Sequence, residues 1–458
     1  MKLPALILSL LAVLFSGALA APKNILFIFH DDMRPELGAY GASHIKSPHL
    51  DRLAAAGLLF NRAYCQVPVC GASRASLLTG IYPARKRFVD FDTWVEKETP
   101  RAQTLPAIFK QNGYTTLSNG KVFHHLKDSA DANWTHIWGS KLGGLDYLLP
   151  ETGAQKSSRG RGRIYEFPDV PDNAYPDGQV AEQTIADLRR LKKEGKPFFL
   201  AMGLIKPHLP FYAPKKYWDL YDRDSLALAD NRFKPTNLPG AVKGSAEYQS
   251  YHLGDYTVNS DAWHRMMRHG YYATVSYTDK LIGDVLKELD ALGMTDDTII
   301  VYWGDHGWHL GEHNFWGKHN LLHTSIQVPL IIKVPGKASG ATTQALVEST
   351  DIFPTLCELA GLPLPAQLDG TSLVPLLDQP QAQLHHGAYA RWHAGDTIVT
   401  DRFIYTQFRG NNGQMLFDLE NDPRQNNNVA EEPQHAKRIL RLRQLLGEKI
   451  AKAEALDF

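Results

Sequence analysis

Hydrophobic residues fall into short unbroken runs and into longer stretches where they recur every three or four positions. Residues 24–29 (NILFIF) form an apolar run of the length expected for a strand buried on both faces of a parallel sheet. The run stops abruptly at His30-Asp31-Asp32. Ser47-Pro48 then predicts a helix start, with serine as N-cap and proline at the first helical position. Leu50, Leu53 and Ala54 share one face of that helix, Gly57 ends it, and residues 58–64 are the next strand. The alternation repeats in two helix–strand pairs: 104–112 before 114–117, and 180–193 before 198–204. A longer helix over 262–292 feeds a strand at 298–303. Residues 328–334 are a further strand, and Asp351 is expected to cap a helix ending near Gly361. Such alternation predicts a doubly wound α/β sandwich. Beyond about residue 380 the segments shorten, near 387–392, 397–400, 403–408 and 415–419, with glycine-rich turns between them. They read as an antiparallel sheet, followed by an amphipathic helix over 433–453. The expected division is a large domain over 21–380 and a small C-terminal subdomain over 381–458.

The start of the chain has a different character. Lys2, an apolar run from Leu3 to Phe15 and the small-x-small triplet Ala18-Leu19-Ala20 form a signal-peptide pattern. The run is too short, and too soon followed by Pro22 and Lys23, to span a membrane. Residues 1–20 are therefore expected to be removed, leaving an exported protein, periplasmic or secreted, with no membrane span. The whole chain carries 49 basic and 49 acidic side chains, so no basic excess points to a nucleic-acid partner. A hydrophobic content of 43% and a charged content of 21% exclude a mainly disordered chain. Three cysteines are too few for a disulfide framework, and Cys65 and Cys357 read as buried thiols. The basic stretch from Lys156 to Arg163 (KSSRGRGR) reads first as a solvated loop, with contact to an anionic polymer as the alternative. Asn133-Trp134-Thr135 is a glycosylation sequon.

Ligands of α/β sheets bind at the carboxyl ends of strands. Two strands here end in candidate metal ligands: Asp31-Asp32 after the first, and Asp305-His306 after 298–303. Three carboxylates meeting at one point need a cation, because their repulsion would otherwise drive one of them to hold a proton. Oxygen-rich ligation favours Ca2+ or Mg2+, while the histidine leaves Mn2+ or Zn2+ open. Cys70-Gly71-Ala72-Ser73-Arg74 stands at the head of a helix expected over 73–79. A cysteine placed there beside arginine is expected to be reactive.

The segment Val69-Cys70-Gly71-Ala72-Ser73-Arg74-Ala75-Ser76-Leu77-Leu78-Thr79-Gly80 resembles the signature of type I sulfatases. Further segments resemble that family in the same order: Asp31-Asp32-Met33-Arg34-Pro35, Gly120-Lys121-Val122-Phe123-His124 and Lys206-Pro207-His208. Asp305-His306-Gly307-Trp308, Leu310-Gly311-Glu312-His313 and Trp316-Gly317-Lys318 are similar to the iduronate-2-sulfatase subgroup. Leu416-Phe417-Asp418-Leu419 and Asp422-Pro423 match the family's closing element. Ala72 replaces the proline found there in many members, which leaves open which enzyme matures the chain.

The resemblance implies an alkaline-phosphatase-like sandwich, a large mostly parallel sheet between helices, with a small C-terminal antiparallel-sheet subdomain and helix. It implies that Cys70 is oxidised to formylglycine (3-oxoalanine) by a formylglycine-generating or sulfatase-maturating enzyme. It further implies one Ca2+ ion held by Asp31, Asp32, Asp305 and His306 beside the modified Cys70. One hydroxyl of the hydrated aldehyde would attack sulfur and the sugar alcohol would leave; deprotonation of the second hydroxyl would then expel sulfate. Lys121 and Lys318 would add positive charge, Arg74 would orient the hydrate, His124 would be the base and His208 the acid. The leading substrate is 2-O-sulfated iduronate or a related uronate of a glycosaminoglycan or algal-type polysaccharide. Two other readings stay open: a metal-dependent phosphodiesterase or phosphonate hydrolase, and a non-catalytic sulfated-glycan-binding protein.

Overall fold

The computed structural model describes residues 23–139, 147–337, 339–410 and 412–456. The expected signal peptide over 1–20 lies outside the described residues. The main strands are β1 (Asn24–His30), β2 (Leu58–Tyr64), β3 (Thr115–Gly120), β4 (His136–Trp138), β5 (Phe198–Leu204), β6 (Thr298–Gly304), β7 (Gln327–Lys333) and β8 (Ala341–Thr343). They form one sheet in the order β8-β2-β7-β6-β1-β5-β3-β4, and a short strand β9 (Val347–Glu348) also pairs with β2. Only β7 runs antiparallel to its neighbours, so the sheet is mixed but mostly parallel.

The unbroken apolar run of β1 follows from burial on both faces. Ile25, Phe27 and Phe29 enter one core, whereas Leu26 and Ile28 enter the other. The first core also takes side chains from α2 (Cys70–Thr79) and α3 (Leu105–Gln111). The second takes them from α1 (Pro48–Ala55), α4 (Pro176–Glu194) and α5 (Asp261–Ala291). A sixth helix, α6 (Ile352–Leu359), packs on α2 and enters the first core. The result is the expected sandwich. Strands β10 (Ala388–Trp392), β11 (Gly395–Val399), β12 (Phe403–Phe408) and β13 (Gln414–Asp418) form an antiparallel meander. Helix α7 (Ala436–Ala455) packs on it through Ile439, Leu442 and Leu446. Among the described residues no helix is long and apolar enough to cross a membrane.

Local corrections have physical causes. Ser47 does not cap α1; its hydroxyl accepts from Gly38 N at 2.9 Å. The first-turn N–H groups of His49 and Leu50 donate instead to Asp279, which reaches across from α5. Asp351 does not cap α6 either, because its carboxylate accepts from the backbone N–H groups of Glu348 and Thr371. Asn133 is fully buried with Oδ1 accepting from Thr104, so the sequon side chain is inaccessible in the folded protein. The helix expected over 73–79 begins at Cys70, which makes that residue part of its first turn.

Candidate active site

Two adjacent strands, β1 and β6, deliver the acidic residues, and the neighbouring β5 helps to hold them. Asp31 N donates to Leu204 O at the end of β5, and Asp305 N donates to His30 O at the end of β1. The chain then turns sharply: Asp32 has a φ of 54°, and its N–H donates to Asp305 Oδ1 at 3.0 Å. Asp31, Asp32, Asp305 and His306 are fully buried, and one ligand atom from each lies within 4.8 Å of the others. His306 Nδ1 is 3.0 Å from Gly307 O, which leaves Nε2 facing Asp32 Oδ1 at 3.3 Å and Asp305 Oδ1 at 3.6 Å.

This quartet is electrostatically unfinished. His306 Nε2, Asp31 Oδ1 and Asp32 Oδ2 are buried without a hydrogen-bond partner among the described residues. Burial and the neighbouring Asp31 push the Asp305 carboxyl well above its usual range, against the pull of Arg74. Burial also raises Asp31, but Lys121, His208 and Arg74 overcome it and hold that carboxylate well below its usual range. Crowded carboxylates with unused lone pairs and one imidazole nitrogen suit a hard divalent cation. The donor set therefore fits Ca2+ or a similar ion.

Cys70 is the first residue of α2, with Sγ 3.2 Å from His124 Nδ1. Its sulfur also lies within 4.8 Å of ligand atoms of Asp31 and His306. Burial and Lys121 push His124 down to about 3, so its ring is neutral. His208 has the opposite environment. Its Nδ1 is 2.6 Å from Leu209 O, and Nε2 faces Glu247 Oε1 at 3.2 Å and Asp32 Oδ2 at 3.9 Å. Burial lowers it, but Asp32 and Glu247 outweigh this and raise it to about 9, so it is a proton carrier. Lys121 Nζ pairs with Asp31 Oδ2, and Lys318 Nζ lies 2.5 Å from Asp32 Oδ1.

Of the ten residues singled out from the sequence, Cys70, Lys121, His124, His208 and Lys318 line one cleft of about 1090 Å³, whereas the quartet and Arg74 do not form part of its wall. Arg74, like the quartet, lies off the cleft wall. It is fully buried behind the carboxylates, donating from Nε to Asp305 Oδ2 at 2.9 Å and from Nη1 to Val122 O at 3.1 Å. It therefore stands as a counter-charge to Asp305, not as part of the cleft wall. Cys65 and Cys357 are buried free thiols; burial pushes Cys65 well up and Cys357 to about 12. The sequence reading missed Glu247, which joins His208 to Lys318 Nζ at 3.3 Å. It heads a short 3-10 turn (Glu247–Ser250) in a stretch without periodicity, where no pattern marks one acid above another. Ser73 was missed as well; its hydroxyl donates to Asp305 O at 2.5 Å and fixes that strand end to α2.

A cleft that combines a carboxylate quartet, two lysines and two histidines of opposite protonation is built to hydrolyse an anionic ester. The Sulfatase family profile matches residues 23–362, and that of N-sulphoglucosamine sulphohydrolase, C-terminal, matches residues 311–452. Iduronate 2-sulfatase of Mus musculus is 34% identical over 75% of this chain and 69% of its own length. The ulvan-active sulfatase of Formosa agariphila is 31% identical over 90% of this chain and 78% of its own length. The solved structure of a phosphonate monoester hydrolase from Silicibacter pomeroyi has a TM-score of 0.79 at 25% identity, over 94% of this chain and 96% of that one. The chain belongs to the sulfatase family, on its iduronate-2-sulfatase-like side, and is a sulfuric ester hydrolase. The non-catalytic glycan-binding reading is set aside by that membership.

Proposed function

We propose that this sulfatase is exported, is matured at Cys70 to formylglycine by a dedicated maturating enzyme, and uses Ca2+ to release sulfate from a 2-O-sulfated iduronate or related uronate residue. The observation that carries the reading is the position of Cys70 in the first turn of α2, between His124 Nδ1 and the quartet. The names of the murine iduronate 2-sulfatase and the ulvan-active sulfatase support a sulfated uronate-containing saccharide as the substrate class. The export reading rests on the pattern of residues 1–20.

When bound and matured, the ion and the aldehyde hydrate supply charge neutralisation at the sulfate oxygens and the nucleophile that attacks sulfur. Asp31, Asp32, Asp305 and His306 would hold the ion. Lys121 and Lys318, each paired with a quartet carboxylate, bring positive charge to the transferring group. His208 keeps a proton on Nε2 through Asp32 and Glu247, and delivers it to the departing sugar oxygen. His124 Nδ1, kept neutral, takes a proton from the group at position 70 when sulfate is expelled. Arg74 fixes Asp305 in place.

The test combines sulfate release from defined disaccharides with mass analysis of the peptide bearing Cys70, after co-expression with a maturating enzyme. Release from 2-O-sulfated uronate disaccharides, with a mass loss at Cys70, is expected. Full activity with an unmodified cysteine overturns the nucleophile; turnover of choline or aryl sulfates with none of sugar sulfates overturns the substrate. The likeness to a phosphonate monoester hydrolase keeps a second activity in view. Matched sulfate and phosphonate esters distinguish it, with the sulfate ester expected to react faster.

A further inference from the structure

The basic stretch read from the sequence as a solvated loop is anchored beside the cleft. Ser157 Oγ donates to Ser250 O at 2.6 Å and accepts from the N–H groups of Arg159 and Arg161 at 3.2 and 3.3 Å. The turn is closed by Ser157 N to Arg161 O at 2.8 Å, and Arg163 beyond it makes an isolated bridge with His252. Both Arg159 and Arg161 line the cleft that holds Cys70, and Arg163 does not. Arg161 is further held by Tyr251: Nη1 donates to its hydroxyl at 2.8 Å, and the guanidinium lies 5.0 Å from the ring centroid.

The charge balance of the wall is one-sided. Among the described residues its only carboxylate is Glu247, already bound to His208 and Lys318. Lys121 and Lys318 serve Asp31 and Asp32, while Lys206 Nζ is spent on His208 O and Pro210 O at 2.6 and 2.8 Å. Arg159 and Arg161 have no carboxylate partner among the described residues. Two guanidinium groups on a pinned turn, without a counter-charge, have the fork geometry that receives carboxylate or sulfate oxygens. The same wall carries Phe91, and Trp94 stacked on His125 at 4.1 Å, which offers aromatic surface to a sugar ring.

We propose that Arg159 and Arg161 form a subsite for a second anionic group, a carboxylate or a further sulfate ester, carried by the saccharide whose sulfate is being released. The subsite selects multiply charged saccharides over singly sulfated ones. The inference rests on the sulfated-saccharide reading above and adds which charge pattern is chosen.

The experiment compares kcat/KM for three substrates: a 2-O-sulfated uronate disaccharide with a second sulfate, the same disaccharide without it, and the carboxyl-reduced form. Arg159→Ala and Arg161→Ala are each expected to lower the preference for the fully charged disaccharide about tenfold, mainly through KM, and the double variant about a hundredfold. Whichever group's removal abolishes the arginine effect is the one bound there. An equal loss on all three substrates, or no loss, overturns the proposal. Calorimetry on Cys70→Ala protein with the fully charged disaccharide reads the same contact without turnover. If wild-type enzyme releases no sulfate from any saccharide, the substrate reading fails. Binding by Cys70→Ala that is insensitive to both arginine substitutions, or absent, sinks the subsite separately.

Discussion

Among the clusters of described residues that join carboxylates to a histidine, one at the strand ends and one beside β9 are finished differently. At the ends of β1 and β6, Asp31, Asp32, Asp305 and His306 leave three polar atoms without a partner. Beside β9, Glu348, Asp351 and His385 leave none among the described residues. Glu348 Oε1 accepts from Tyr389 N at 2.7 Å, and Lys449 Nζ lies 3.1 and 3.0 Å from its two oxygens. Asp351 Oδ1 accepts from Thr371 N at 2.7 Å, while Oδ2 takes Glu348 N at 2.7 Å and His385 Nε2 at 2.8 Å. Burial raises Glu348, but Lys449 and His385 outweigh it and hold it low, whereas Asp305 is driven up. Similar residue types thus make a clamp in one place and a receptor in the other. The difference is whether the chain itself supplies the counter-charge. The clamp fastens α7 and β10 to the large sheet; the quartet keeps lone pairs that could receive a cation.

The sharpest way to break this contrast is to separate activity from stability. Cys70→Ala is expected to lower sulfate release by at least about 10^4-fold, as loss of a nucleophile does elsewhere, with the thermal transition retained. Sulfate release that survives would remove the quartet's neighbour from the chemistry. Asp32→Asn comes next. Its Oδ2 has no donor, so an amide fits there, and Lys318 keeps Glu247. Ca2+ at a hundred times its Kd stabilises a protein that binds it by about 2.7 kcal/mol. Wild-type protein should show that rise on titration with CaCl2 and Asp32→Asn should not, with sulfate release down about 10^3-fold. An equal rise in both would show that the ion binds elsewhere.

What could be read in the sequence divides along the same line. The quartet, Cys70, Lys121, His124, His208 and Lys318 were legible because each sits at a strand end, a helix start or within a short motif. Arg74 was legible as a residue but not as a place, since whether an arginine faces a cleft or a buried carboxylate is decided by packing. The clamp was invisible: Asp351 read as a local cap, and its partners Glu348, His385 and Lys449 lie up to 101 residues apart. Glu247 was hidden for the same reason, its partners being 39 and 71 residues away in a stretch that follows no period. The core strands were nearly complete, because burial on both faces leaves a continuous apolar signal. Strand β11 begins two residues before its expected start because Gly395 pairs with both Trp392 and Phe408, and a glycine carries no hydrophobic mark.

The clamp supplies the converse test. Lys449→Met removes the cation while leaving Glu348 buried, a change that costs about 3 kcal/mol. Chemical denaturation should show that loss, while folded enzyme keeps its kcat; a lower kcat in fully folded protein would mean that the clamp also shapes the cleft. His385 gives the smallest effect and the clearest sign. Burial alone would lower it, but Asp351 and Glu348 outweigh burial and raise it above its ordinary 6.5. A histidine raised on folding stabilises fully below its unfolded value, and that contribution fades as pH rises through the folded value. His385→Gln keeps a donor for Asp351 but cannot titrate, so its stability gap to wild type should be widest below the unfolded value and narrow as pH rises through the raised folded value. Because the quartet is the same in both proteins, its own titration cancels in the gap. A gap that is constant, or that widens with pH, would mean that His385 is neutral in the folded state and that Lys449 alone balances Glu348.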